Sequence, residues 1–403
     1  MPFGSEGLED GTGLALSGGG FRATLFHIGA LWRLNELGWL ARLTRISSVS
    51  GGSITAGMLA LKWDALKTAN WGQDTFLKEV VEPLNSFCRR NVDVPSIVKG
   101  LLVPWRSVSD YVSAQYSDGL YGKATLQQLP DSPCFVFNST NLATGVDFRF
   151  SKPYAGDYRI GLIKNPEFTL AQAVTASSAF PPVLSPAVFK PDPKSFERVD
   201  GADLYDDVSY RERLTLTDGG VYDNMGLETV WKRLKTLLVS DGGAPFDYGG
   251  TQGKDWPRQT LRVVNVFSHQ SWSLRTSLLV RMYQGGERAG AYWGIGTPIA
   301  RYNLAGALEV PRDVTQRLAK IRTRLNAFSE EEQCTLINWG YAICDAAVRR
   351  CSGAPKTRLP QWPYPDYALD KGVSAEVKVK RTSDFIQPEP QPKQTESLPS
   401  ART

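Results

Sequence analysis

Ile46-Ser47-Ser48-Val49-Ser50-Gly51-Gly52-Ser53-Ile54 (residues 46–54) decides how the chain reads. Ile46 to Ser50 is a short strand by composition, Gly51 and Gly52 form a tight turn, and Ile54 to Trp63 is apolar and helical. A serine is a weak nucleophile until a base removes its proton and a fixed geometry presents it. One solution seats it on a strained strand-to-helix turn between small residues, the G-x-S-x-G elbow. Ser48-Val49-Ser50-Gly51-Gly52 fits that pattern with Ser48 in place of the first glycine, which makes Ser50 the candidate nucleophile. The helix start also points backbone N–H groups and a positive dipole end at the same place. Ser53 is a rival, but Thr55 occupies its final glycine position and N-capping accounts for it. Taken alone, the motif also suits an ordinary strand-to-helix turn.

The same plan stands upstream. Gly13 to Ser17 is a short apolar run, Gly18-Gly19-Gly20 follows, and Leu25, Ile28, Leu31, Leu34 and Leu37 recur every three residues before Gly38, a natural C-cap. Acyl transfer builds negative charge on a carbonyl oxygen, and preorganised backbone N–H donors stabilise it. Gly18, Gly19 and Gly20 offer three such amides without side chains, and Gly51 offers a fourth at the elbow. Arg22 either braces this loop, attracts a lipid phosphate, or sits at the helix surface. The rival reading is a dinucleotide fingerprint, loosely matched by Gly18, Gly20 and Ala23, but the acid expected about twenty residues on is missing.

Further along, residues 64–130 read as a helical insertion. Strands resume at Cys134–Asn138 and Val146–Phe150, and residues 168–179 read as a helix stopped by Pro181 and Pro182. Arg213–Thr217 alternates as a strand, Leu261–Phe267 looks like a buried strand, and residues 311–351 are mainly helical. Strands alternating with helices predict an α/β fold around a largely parallel sheet. The tail, residues 387–403, is proline-rich and polar, and is expected to be disordered.

Composition narrows the class. The chain has 403 residues and a formal charge of +5, with no run of eighteen apolar residues and an acidic, glycine-rich start unlike a signal peptide. These features predict a cytoplasmic protein and give no footprint for a nucleic acid polymer. Five cysteines without a C-x-x-C pair and only two histidines argue against a zinc site. Cys344 and Cys351, two helical turns apart, lie roughly 10 Å from each other, too far for a disulfide.

Asp218-Gly219-Gly220 closes the strand Arg213–Thr217 and runs on into Val221-Tyr222-Asp223-Asn224. Together with Ser17–Arg22, Ser48–Ser53, Asn138–Asn141 and Ala176–Pro182, this strongly resembles the patatin-like phospholipase family. The matching blocks follow the family's order over residues 11–226. The resemblance implies a three-layer α/β/α domain, related to α/β-hydrolases, over residues 1–386, with a family-specific part at 227–386. It also implies a Ser–Asp dyad: Ser50 attacks an ester carbonyl, Asp218 takes its proton, Gly18–Gly20 and Gly51 bind the oxyanion, and Arg22, Gly52, Gly219 and Gly220 support them. No cofactor is required for that chemistry. Two departures stand out, Ser48 for the elbow glycine and Ala23 for a glycine after the oxyanion loop. Asp200-Gly201-Ala202 is a looser alternative to Asp218, with polar, turn-like flanks.

Ser50, Asp218 and His269 also occur in the chain order of an α/β-hydrolase triad, with His269 after the expected strand Leu261–Phe267. His27, inside the first amphipathic helix, reads as a packed histidine. A lipid esterase needs an apolar approach, and Leu101–Trp105 and the arginine-bearing stretch Trp272–Trp293 are candidates for a membrane-facing surface. The resemblance implies a membrane phospholipid substrate, action at the inner membrane, and gating. Some bacterial relatives are anti-phage effectors switched on by cyclic dinucleotides, so such a ligand and a homo-oligomer on activation are expectations here, with contacts sought in residues 64–130 or 270–320. A non-catalytic lipid- or nucleotide-binding module on the same fold is the competing class. It would predict decay of Ser50, Asp218 or the glycine triplet, and all are present.

Overall fold

The computed structural model describes residues 7–93, 107–181, 184–249, 255–353 and 358–373. Leu101–Trp105 and the tail from 387 lie outside the described residues. In chain order the strands are β1 (Glu9–Leu16), β2 (Leu43–Val49), β3 (Cys134–Asn141), β4 (Asp147–Phe150), β5 (Tyr154–Asp157), β6 (Gly161–Lys164), β7 (Ala187–Phe189), β8 (Phe196–Glu197), β9 (Leu214–Asp218), β10 (Leu234–Asp241) and β11 (Ala289–Gly294). The main helices are α1 (Gly20–Glu36), α2 (Gly51–Leu61), α3 (Val108–Tyr116), α4 (Leu170–Ser177), α5 (Trp256–Gln284) and α6 (Glu330–Cys351).

The sheet runs β11-β10-β1-β2-β3-β4-β5-β6-β8. Its first five strands are parallel, and the strands beyond β3 are antiparallel. Alternate residues of the central strands point into different cores. Leu14 and Leu16 of β1 and Leu238 of β10 enter one apolar cluster with α1 and α6, whereas Ala15, Leu237 and Val239 enter a second with Val230, Trp231, Leu279 and Met282. Two apolar faces on one sheet, each covered by helices, make the three-layer α/β/α architecture.

α1 is buried along almost its whole length because the sheet covers one side and α6 the other. Among the polar groups it carries inward, Arg33 and His27 are hydrogen-bonded, whereas Asn35 Oδ1 finds no partner among the described residues. Arg33 pairs with Asp345 at 2.6 Å, both side chains fully buried. His27 holds Ser240 Oγ at 2.8 Å and the Ser17 carbonyl oxygen at 2.9 Å. Its Nε2 therefore donates to that carbonyl and Nδ1 accepts the Ser240 hydroxyl, and burial lowers its pKa to about 4. The packed reading of His27 holds.

The sequence misleads at one large element. Leu261–Phe267 is not a strand but part of α5, a 29-residue helix capped by Asp255, whose side chain accepts the Arg258 N–H at 3.0 Å. Its β-branched apolar residues are exposed rather than buried. Pro257 at the start of the helix and the capping aspartate override strand propensity. The stretch Trp272–Trp293 is also not a uniform outer surface. Trp272 donates to Asp241 at 2.7 Å, and Trp293 is fully buried in β11.

Candidate active site

β3 gathers the two key residues. On one edge it pairs with β4 over Phe137–Thr140. On the other edge β2 ends with Val49 opposite Asn138, and β9 ends with Asp218 opposite Ser139. The two strands occupy consecutive register positions from opposite directions, so the residue after β2, Ser50, and the last residue of β9, Asp218, meet at the same point.

Ser50 has φ 50° and ψ −118°, an unfavourable backbone for any residue with a Cβ. The surroundings hold it there. Its N–H donates to Ser177 Oγ at 3.0 Å. That hydroxyl lies 2.8 Å from Ser53 Oγ, Ser53 donates to Ser48 Oγ at 2.9 Å, and Ser48 donates to the Val136 carbonyl at 3.3 Å. The hydrogens thus run in one direction along a buried relay of serines. Ser48, which stands where an elbow glycine is usual, has a structural use, and Ser53 serves the relay rather than capping the helix. Asn138 Nδ2 completes the support by donating to Ser47 Oγ and the Ser48 carbonyl, each at 2.9 Å. Gly51 is obligatory because a Cβ there would strike the Gly20 carbonyl oxygen.

The Asp218 carboxylate is 2% exposed. Oδ1 accepts the Gly220 N–H at 2.7 Å, while buried Oδ2 has no partner of hydrogen-bonding geometry. Burial pushes the pKa up to about 6, against the lowering pull of the Gly220 N–H and the neighbouring Ser50 hydroxyl. The Ser50 hydroxyl thus interacts with the carboxylate without a well-formed hydrogen bond in this state. Ser177 ties the two halves together, with its hydroxyl on the Ser50 N–H and its carbonyl accepting the Gly219 N–H at 3.2 Å. That linking role was not legible beforehand, although the segment around Ser177 was.

The glycine triplet divides into two kinds of amide. Gly18 N–H donates to the Asn224 carbonyl at 2.9 Å and is therefore engaged, which corrects its place among the expected oxyanion donors. Asn224 lies in the segment following Asp218, so the loop carrying the carboxylate consumes that donor. Gly19 and Gly20, at φ 141° and 57°, and Gly51 donate to no acceptor among the described residues. Gly52 N–H is used by the Ser17 carbonyl at 3.1 Å.

Arg22 is 1% exposed, so neither a surface role nor phosphate capture fits it. Its guanidinium donates to the Ile321 carbonyl at 2.7 Å and the Gly242 carbonyl at 3.0 Å, bracing the glycine loop from behind. Burial lowers its pKa to about 10, opposed by nearby Asp241. The Phe21 N–H donates to the Arg324 carbonyl at 3.0 Å, so residues 321–324 close over the same loop.

The other candidate groups stand apart. Asp200 is exposed in a turn. His269 stacks between Phe246, at 4.6 Å between ring centroids, and Trp272, at 5.5 Å, rather than facing Ser50 or Asp218. With no strand before it and aromatic rings around it, the Ser–Asp–His arrangement is not formed. The chain also holds a second Asp-Gly-Gly, Asp241–Gly243 at the end of β10. Its carboxylate is capped by Trp272 Nε1 at 2.7 Å, Tyr292 OH at 3.0 Å and the Gly243 N–H at 3.0 Å. Satisfied on both oxygens, it anchors α5 to the sheet.

A family model described as "Patatin-like phospholipase" matches residues 14–231. No curated protein matches the chain. Among solved structures, human GIVD cytosolic phospholipase A2 is similar at 13% identity and TM-score 0.47, covering 84% of this chain and 58% of that one. The same enzyme in complex with methyl gamma-linolenyl fluorophosphonate aligns at 13% identity and TM-score 0.45, covering 84% of this chain and 57% of that one. VipD from Legionella pneumophila aligns at 15% identity and TM-score 0.33, covering 85% of this chain and 67% of that one. The chain thus spans less than two thirds of the human enzyme.

Proposed function

We propose a reaction on one premise: the chain belongs to the patatin-like phospholipase family, a family of lipid ester hydrolases. The reaction is hydrolysis of fatty-acyl esters of membrane phospholipids through a Ser50–Asp218 dyad. The observation that carries it is Ser50 on a strained elbow beside a buried carboxylate whose Oδ2 is unpartnered and whose pKa is raised to about 6.

Oδ1 is held by the Gly220 N–H, so Oδ2 is the lone pair available to the Ser50 proton. As that proton moves to Asp218, Ser50 Oγ bonds to the ester carbonyl carbon and the C=O electron pair becomes an oxyanion. The unengaged amides of Gly19, Gly20 and Gly51 are the donors for it. Collapse expels the alcohol, which takes the proton from Asp218 and leaves an acyl-serine. Water then attacks with Asp218 again as base, releasing the fatty acid and restoring the hydroxyl. A desolvated carboxylate is a stronger base than one in water, and near neutral pH it is still ionised. Exposed Phe180 and Val221 flank the Asp218 turn and give the site an apolar border.

Among the described residues no helix is long and apolar enough to cross a membrane. Activation by a cyclic dinucleotide, oligomerisation on activation and action at the inner membrane belong to the same proposal and rest on the family resemblance. The test is fatty-acid release from phospholipid vesicles by the wild type and Ser50→Ala, each with and without cyclic dinucleotides. The expected result is loss of release in Ser50→Ala with the fold intact. Release that survives the exchange would overturn the assignment.

A further inference from the structure

α5 carries an apolar surface that its own fold does not use. Its inner face, Trp272, Leu279, Met282 and Tyr283, packs on the second core cluster. Beside it, on a side of its own that Leu278 joins to the inner face one turn before Met282, stand Trp256, Val263, Phe267, Leu274 and Leu278, with exposures of 77%, 50%, 65%, 65% and 39%. Their spacings of seven, four, seven and four residues keep them on one side of a helix with 3.6 residues per turn. The stripe is about 33 Å long at 1.5 Å per residue. Trp256–Gln284 contains no aspartate or glutamate and four arginines, of which Arg258 pairs with Asp255, Arg262 donates to the Asp247 carbonyl and Arg275 faces Asp223 and Glu228, so that Arg281 is the cation the helix presents outward. Exposed Arg281, seven positions from Leu274, sits on the stripe side.

The helix is also joined to the candidate site. Arg275 donates to the Tyr222 carbonyl at 3.1 Å and lies 3.6 Å from the Asp223 carboxylate, both in the turn that follows Asp218. A surface bound by α5 is therefore bound next to the loop that carries the candidate base.

We infer that α5 is the element by which this protein docks on an anionic phospholipid bilayer, with the stripe from Trp256 to Leu278 lying in the headgroup layer. The inference rests on the lipid-hydrolase reading and adds where the lipid surface is met. Charge decides between occupants. A helix lying in the interface gains from apolar residues on one face and cations against anionic lipid. A second copy packed through the same stripe would bring two acid-free, arginine-bearing helices together, without the opposite charges that flank helical seams.

The experiment measures co-sedimentation of the Ser50→Ala protein, which leaves lipid intact, with vesicles of phosphatidylcholine alone or mixed equally with phosphatidylglycerol. The mixed vesicles should bind more tightly, and adding Phe267→Glu and Leu274→Glu should weaken that binding by at least about tenfold. In the active protein the same double exchange should slow release from vesicles while leaving hydrolysis of a soluble short-chain ester within about twofold. The single exchange Phe267→Ser reads the same contact should the double variant fail to fold. Unchanged vesicle affinity in both variants would overturn the inference. So would a dimer that the exchanges convert to a monomer without altering vesicle binding. Binding that follows this pattern with no fatty acid released by the wild type would leave the docking surface standing and remove the proposed reaction.

Discussion

Asp218→Asn removes a charge that the fold holds out of water, so the variant should be inactive and, relative to the wild type, increasingly stable as pH rises. The pKa of Asp218 is raised from its ordinary 3.8 to about 6 by burial. A carboxyl whose folded pKa lies above its unfolded value binds its proton more tightly in the native state. Its contribution to stability is complete below the unfolded value and is lost as pH climbs through about 6. A displacement of this size corresponds to about 3 kcal/mol of destabilisation by the charged form. Asparagine cannot ionise and escapes that loss, although burying its amide adds a pH-independent offset of its own. The offset cancels when the difference between variant and wild type is compared at two pH values. Between about pH 4.5 and about pH 8 the difference should move by about 2 kcal/mol in favour of the variant, since the unfolded chain is already partly ionised at the lower pH. Buried His27 titrates in the opposite sense, but it is present in both proteins and drops out. Urea unfolding followed by fluorescence at the two pH values reads the quantity. A stability difference that does not change with pH would refute the reasoning that Asp218 is a desolvated base. The same shift predicts that wild-type hydrolysis is half-maximal near pH 6 and rises above it.

Two further exchanges probe the frame of the site. Gly20→Ala should lower turnover by at least about tenfold and slow labelling by a fluorophosphonate, because it forces φ 57° on a residue with a Cβ and meets the Arg324 carbonyl oxygen at 2.8 Å. Unchanged labelling would remove this loop from the oxyanion site. Asp345→Ala should cost about 1.5–3 kcal/mol in denaturant unfolding, since it removes the buried carboxylate that Arg33 shares with Arg349 and leaves the Arg33 guanidinium on Glu36, Tyr341 and the Arg358 carbonyl. Specific activity of the folded fraction should be retained, because the pair lies between α1 and α6, away from Ser50.

Much of the site was written in local sequence because it is built from turns. Ser50-Gly51-Gly52, Gly18-Gly19-Gly20 and Asp218-Gly219-Gly220 each encode a backbone shape within a few residues, and small residues are needed where two such turns approach each other. The repeated strand–turn–helix plan likewise gave the parallel α/β core, because period and punctuation are local properties. α5 escaped this reading. Its run of Val263, Val264, Val266 and Phe267 has strand composition, yet Asp255, Pro257 and anchorage through Trp272 to Asp241 make it a helix with an exposed apolar side.

The identity of the candidate groups and the backbone shapes that present them therefore follow from local sequence. What those groups are free to do follows from packing between distant segments. The loop after Asp218 spends the Gly18 amide on Asn224, burial turns Arg22 from a surface cation into a brace, and aromatic stacking holds His269 apart. Ser177 fastens Ser50 to the turn of Asp218 across 127 residues of chain. Hydrogen-bond satisfaction and desolvation depend on neighbours far apart in sequence, and those neighbours are fixed only when β2 and β9 meet at the end of β3.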